Sequence, residues 1–198
     1  MNIVLDFDRT LFDTKTFADW FFEEVAQRSG RTAKSIQDEA EATYFMYQGT
    51  LWYYDMFAQL ESIFGADSGL QLEAIKQKAL KTKNFLFDDF RRNFDALQHR
   101  GTITILTYGK ENAQQFKLSL CPELRDIPVI IVMSPKGPHI EKHFDSKTRC
   151  VFVDDKDVHG ELPSWVAFYQ ILRNGAVANG NDATIHSFDE LVSIVSMP

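Results

Sequence analysis

Asp6-Phe7-Asp8-Arg9-Thr10-Leu11-Phe12-Asp13-Thr14, entered directly from the apolar run Ile3-Val4-Leu5, is the stretch on which the fold turns. A short β-branched run that stops at two closely spaced carboxylates reads as a buried strand with reactive groups at its carboxyl end. Three further runs have this form, at 102–106, 129–132 and 151–153, each followed by polar or turn-forming residues. Between them lie segments with helical signals, 111–120 and the one opening at Pro138, so strand and helix alternate. That order implies a parallel sheet covered on both faces. Residues 165–172 read as another strand, and 188–195, capped by Ser187, as a last helix.

In open parallel sheets the reactive groups gather where the strands end. Those positions hold Asp6, Asp8 and Thr10 after the first strand, Thr107 after the second, Ser134 and Lys136 after the third, and Asp154 and Asp155 after the fourth. Hard oxygen ligands clustered with one cation suit a Mg²⁺ ion and a phosphoryl group, since Mg²⁺ prefers one or two carboxylates plus water and substrate oxygens.

The interval 14–84 breaks the alternation. Segments 16–27, 33–47, 51–64 and 70–82 each carry apolar residues at helical spacing, with Gly30, Gly49, Gly65 and Gly69 at the expected stops. An all-helical insertion is therefore expected. It is rich in aromatics, among them Phe17, Trp20, Phe21, Phe22, Tyr44, Phe45, Tyr47, Trp52, Tyr53, Tyr54 and Phe57; most are expected to pack helices, with a few available to line an apolar pocket. Residues 177–182, with Asn and Gly interleaved, read as a flexible loop.

The segment from Asp6 to Thr14 resembles the first signature of the haloacid dehalogenase (HAD) superfamily of hydrolases. Thr107 at the end of Ile103-Thr104-Ile105-Leu106 is similar to its second motif, Lys136-Gly137 to its third, and Val151-Phe152-Val153-Asp154-Asp155 to its acidic fourth. The four occur in the family's order, and the insertion falls where one subclass places its cap. The resemblance implies that Asp6 attacks phosphorus to form an aspartyl phosphate, while Asp8 protonates the leaving oxygen and then deprotonates the attacking water. Thr107 would hold a phosphoryl oxygen, and Lys136 would offset the charge shared by Asp6 and the phosphoryl group. The implied Mg²⁺ ligands are Asp155 first, with Asp154 second or acting through water, together with Asp6 and the backbone carbonyl of Asp8. Arg9 stands where the family most often has glycine, and His159 where many members have a further acid; either the turn after Asp8 differs or the guanidinium meets substrate or a cap carboxylate.

Other patterns point to less. His139 and His143 would share a helix face, but Glu141 is not at the zincin position and no third ligand is evident. The calcium-loop mimic beginning at Asp155 has Val166 where a bidentate Glu is needed. Cys121 and Cys150 read as buried small hydrophobes, and no GxxxxGK or GxGxxG occurs.

The 198 residues, 44% hydrophobic, suit one domain or one domain with an insertion. With 21 basic against 28 acidic residues the formal charge of −7 has the wrong sign for binding nucleic acid by phosphate neutralisation. Two cysteines, no signal-like leader and no long apolar run set aside secreted and membrane classes and lead to an expectation of a cytoplasmic protein. The reading is an α/β, doubly wound parallel-sheet (Rossmann-like) core over 1–13 and 86–198, with an all-helical cap over 14–85. Its expected activity is Mg²⁺-dependent hydrolysis of a small soluble phosphate ester, with no nucleic-acid or membrane partner and the oligomeric state left open. The alternatives are a phosphotransferase or phosphomutase on the same site, or a catalytically lapsed binding module.

Overall fold

The computed structural model describes residues 1–42, 44–47, 51–173 and 183–196. In chain order the elements are β1 (Asn2–Leu5), α1 (Thr14–Ser29), α2 (Ala33–Ala42), β2 (Tyr44–Tyr47), β3 (Leu51–Tyr54), α3 (Met56–Phe64), α4 (Ser68–Thr82), α5 (Asp88–Arg100), β4 (Thr102–Tyr108), α6 (Glu111–Ser119), β5 (Val129–Val132), α7 (Gly137–His143), β6 (Cys150–Asp154), β7 (Val166–Ile171), β8 (Thr184–Ile185) and α8 (Phe188–Val195). The expected loop at 177–182 lies outside the described residues.

Six strands form one sheet in the order β5-β4-β1-β6-β7-β8, and among the described residues every pairing within it is parallel. β1 occupies an interior position, with Leu5 opposite Ile105 on one side and Val153 on the other. Ile3, Val4 and Leu5 are wholly buried, as a strand covered on both faces requires. Helices flank the sheet, making an α/β Rossmann-like fold. α8 starts as its sequence dictates, the Ser187 hydroxyl accepting from the Glu190 amide at 3.4 Å, and Phe188 meets Phe90 of α5 edge-on at 5.1 Å.

The chain divides into two compact units. One comprises Met1–Asp13, Leu86–Tyr108 and Asp126–Pro198, and the other Thr14–Phe85 and Gly109–Arg125. Contacts thus group 109–125 with the helices, where chain order alone had left it with the sheet. Aromatic packing gives the reason: Phe116 of α6 lies 6.4 Å from Phe17 of α1, which also stacks on Phe21 at 5.5 Å and meets Phe85 edge-on at 5.4 Å. Glu24, buried on α1, is held by Lys78 of α4.

The expected all-helical insertion is corrected. Instead of helices over 33–47 and 51–64, α2 stops at Ala42 and an antiparallel pair follows, Tyr44 opposite Tyr54 and Phe45 opposite Tyr53. Aromatic side chains lose rotamer freedom against a helix turn and pack well across strands, so this aromatic run favours the extended state. The Tyr44 and Tyr54 rings stack at 5.7 Å, the cross-strand contact that supports such a pair. Trp20, Phe17 and Phe21 are buried, whereas Tyr44 is half exposed; for Phe45, Tyr47 and Trp52 the side chains lie outside the description.

Candidate functional site

Register brings the carboxylates together. Because Leu5 and Val153 are partners, the next residue of each chain segment, Asp6 and Asp154, emerges at the same level of the sheet, and the Asp6 amide donates to the Val153 carbonyl at 2.8 Å. Carboxylate oxygens of Asp6, Asp154 and Asp155 lie within 4.8 Å of one another. Lys136, immediately before α7, donates to Asp6 Oδ1 at 2.5 Å and to Asp154 Oδ2 at 2.6 Å. The second oxygen of Asp154 accepts from the Lys156 amide at 2.9 Å, so both of its oxygens are engaged. Gly137 lets α7 approach this closely, for a Cβ there would overlap the Glu161 carbonyl.

Charge and burial oppose each other here. Asp6 is 4% exposed, and its pKa is pushed up to about 8: burial is the largest cause, the Lys136 ammonium pulls it back, and Asp154 and Asp155 push it higher. Asp155 is raised to about 6, again by burial first and then by Asp154, while the charges of Lys156 and Arg9 oppose the rise. Burial alone would lower Lys136, but Asp6 and Asp154 outweigh it and hold the lysine above its ordinary range. With all three ionised, the carboxylates would exceed the one ammonium by two negative charges, which is why Asp6 and Asp155 hold their protons to higher pH when no cation is bound. An all-oxygen donor set with that excess fits a hard divalent cation.

The other expected site residues are placed as follows. Thr107 lies inside β4, which runs two residues beyond the expected end, and its hydroxyl is buried with no hydrogen-bond partner among the described residues. Thr10 is in the same state. A buried hydroxyl left unpaired costs about 1–3 kcal/mol, a cost that a ligand oxygen removes. Asp8 is half-buried in the turn after β1 and its carboxylate is not among the three clustered ones. Arg9, exposed, has φ 61°, the left-handed region in which glycine is at ease. The turn closes through Arg9 N–H to Phe12 O at 2.8 Å and through the Leu11 and Phe12 amides to Phe7 O, each at 2.9 Å. Ser134 Oγ meets His139 Nε2 at 2.7 Å, and His143 is exposed. His159 is exposed beside the Phe168 ring at 6.2 Å.

Sequence reasoning missed Gln170, whose Nε2 donates to the Asp155 carbonyl at 3.1 Å and steadies the backbone immediately after the two aspartates. Gln170 stands opposite Asp154 across β6 and β7, a pairing that appears only once the strands are in register.

No protein-family model matches the sequence, and no curated protein does. Solved structures do resemble it. A haloacid dehalogenase-like hydrolase from Burkholderia xenovorans superposes with a TM-score of 0.70 at 16% identity, covering 98% of this chain and 95% of its own. A HAD-hydrolase of Bacillus subtilis, bound to magnesium, gives 0.65 at 13% identity over 99% and 98%. A β-phosphoglucomutase from Thermotoga maritima gives 0.62 at 12% identity over 98% and 97%. The chain therefore has the fold of the HAD-like hydrolases.

Proposed function

We propose that this protein belongs to the HAD superfamily and is a Mg²⁺-dependent phosphohydrolase acting on a small phosphate ester. The observation that carries the reading is the meeting of Asp6, Asp154 and Asp155 around Lys136 at the strand ends. Asp6 Oδ2, which accepts no hydrogen bond from the described residues, is the nucleophile. It forms a bond to phosphorus as the bond to the leaving alcohol breaks, and Asp8 gives its proton to the departing oxygen. In the second step Asp8 takes a proton from water, the water oxygen bonds to phosphorus, and the Asp6–phosphorus bond breaks to release phosphate. Lys136 balances the charge on Asp6 and the phosphoryl group, and the Thr107 hydroxyl donates to a phosphoryl oxygen. Asp6, Asp155, the Asp8 carbonyl and, directly or through water, Asp154 would hold Mg²⁺, which when bound neutralises phosphoryl charge.

The inserted segment, 14–85, is assigned to substrate choice, and the cytosol is the proposed compartment. Among the described residues no helix is long and apolar enough to cross a membrane. Likeness to the Thermotoga phosphoglucomutase supports a second reading, in which the phosphoryl group passes from Asp6 to a sugar hydroxyl. A panel of phosphorylated metabolites assayed with Mg²⁺ tests both: free phosphate supports the hydrolase, isomeric sugar phosphate without phosphate release supports the mutase, and neither product from any ester overturns both.

A further inference from the structure

Arg173, just beyond β7, joins parts of the chain that are far apart in sequence. Its Nη2 donates to the Thr10 carbonyl at 2.9 Å, and its Nη1 to Asp89 Oδ2 at 2.7 Å. The guanidinium lies 4.0 Å from the centre of the Phe87 ring and 5.5 Å from that of Phe188. Asp89 Oδ2 also accepts from the Phe188 amide at 2.8 Å, so one carboxylate ties the start of α8 to the arginine. Phe87 in turn donates its amide to the Leu11 carbonyl at 2.9 Å. Two successive carbonyls of the turn after β1, those of Thr10 and Leu11, are thus held by this cluster, and Arg173 is the only donor to Thr10 O among the described residues.

The turn so held is the one in which Arg9 adopts φ 61° and which carries Asp8. A conformation that side chains rarely adopt persists where the surroundings over-determine it. The planar fork of an arginine, set over the Phe87 ring and bonded to two acceptors, supplies such a constraint; a lysine reaches one acceptor at a time and cannot stack in the same way.

We infer that Arg173 is a positioning residue: by holding the Thr10 carbonyl it fixes the turn that aims the Asp8 carboxyl at the leaving oxygen. This rests on the phosphohydrolase reading of the site. Its consequence is selective. Protonating the leaving group matters for a poor leaving group such as an alkoxide and hardly at all for dinitrophenolate, which departs as an anion. A residue that only supports the fold would, when lost, reduce both reactions alike.

The test uses the full-length chain with R173M, R173K and D89N, comparing a primary alkyl phosphate with dinitrophenyl phosphate. For R173M we expect kcat/KM to fall about 100-fold on the alkyl ester and less than 5-fold on the aryl ester, with the loss in kcat. R173K should fall in between, and D89N, which keeps the bond to Thr10, should retain a larger share of the alkyl activity than either. Equal losses on the two esters, or no loss on the alkyl ester in a folded variant, overturn the inference. Hydrogen exchange of the Leu11 and Phe12 amides gives a readout independent of turnover: it should quicken in R173M and R173K relative to the amides of β1, and unchanged exchange also overturns the inference. A wild-type protein that turns over neither these two esters nor any ester of the metabolite panel overturns the phosphohydrolase reading, while the exchange comparison still decides whether Arg173 fixes the turn.

Discussion

Asp6 lies 4% exposed with an ammonium 2.5 Å from one oxygen, so replacing it by asparagine keeps shape and volume while removing the anionic nucleophile. Asp6→Asn should bring phosphate release below detection with cooperative unfolding retained, because an amide cannot accept a phosphoryl group; wild-type rates in the purified variant would refute covalent chemistry at this residue. The two aspartates at the end of β6 differ in what occupies them. Both oxygens of Asp154 are taken by Lys136 and the Lys156 amide, while the Asp155 carboxylate accepts no hydrogen bond among the described residues. Asp155→Ala should therefore weaken Mg²⁺ binding more than Asp154→Ala, read by metal titration, and a reversed ranking would exchange their roles. At this scale the sequence was readily legible: residue types at strand ends told which side chains to suspect. What it withheld were the partners, since Gln170 and Arg173 reach the site through register and through a contact across more than a hundred and sixty residues.

Elements were legible where the period was clean. β5 and α8 run as their patterns predict, from Val129 to Val132 and from Phe188 to Val195. The pairing of β2 with β3 escaped because short aromatic runs satisfy helical and extended spacing alike, and cross-strand stacking decides between them. Asp55, between β3 and α3, accepts from the Ala58 amide at 3.1 Å and pairs with Lys110. Burial tends to raise its pKa, but Lys110 and the amides of Ala58 and Phe57 outweigh this and hold the carboxyl below its ordinary value. A lowered folded-state pKa gives stability that is full above the unfolded value and is lost as pH falls through the folded one. Asp55→Asn should thus cost about 0.5–1 kcal/mol at neutral pH and flatten the acid limb of thermal stability; an unchanged limb in circular dichroism melts would remove the pair from the account. In α7, Gly137→Ala forces a Cβ into the Glu161 carbonyl. It should destabilise by about 1–3 kcal/mol and lower turnover by moving Lys136, and a fully active, equally stable alanine variant would show that the helix shifts freely.

For the molecule as a whole, the clustered acids predict that metal and stability are linked. A cation bound only by the folded state at a hundred times its Kd adds about 2.7 kcal/mol, or roughly 5 to 10 °C for a chain of this size. Mg²⁺ should raise the melting temperature of the wild type by that order and leave Asp155→Ala nearly unmoved; an unshifted wild type would mean that the cluster binds no metal. The alternation of strands and helices made the sheet legible, but the grouping of 109–125 with the helices depends on Phe116 meeting Phe17, which no local pattern announces. The place of β1 in the sheet also governs how the protein emerges during synthesis. β1 is an interior strand, whose neighbours are completed about a hundred and a hundred and fifty residues later. At about 5 to 20 residues per second, Ile3-Val4-Leu5 waits on the order of 5 to 20 seconds for its first partner and somewhat longer for the strand that delivers Asp154. Until β4 is made the apolar strand has no neighbour to pair with, so chaperone capture or the speed of translation between β1 and β4 would bear on yield alongside the final stability.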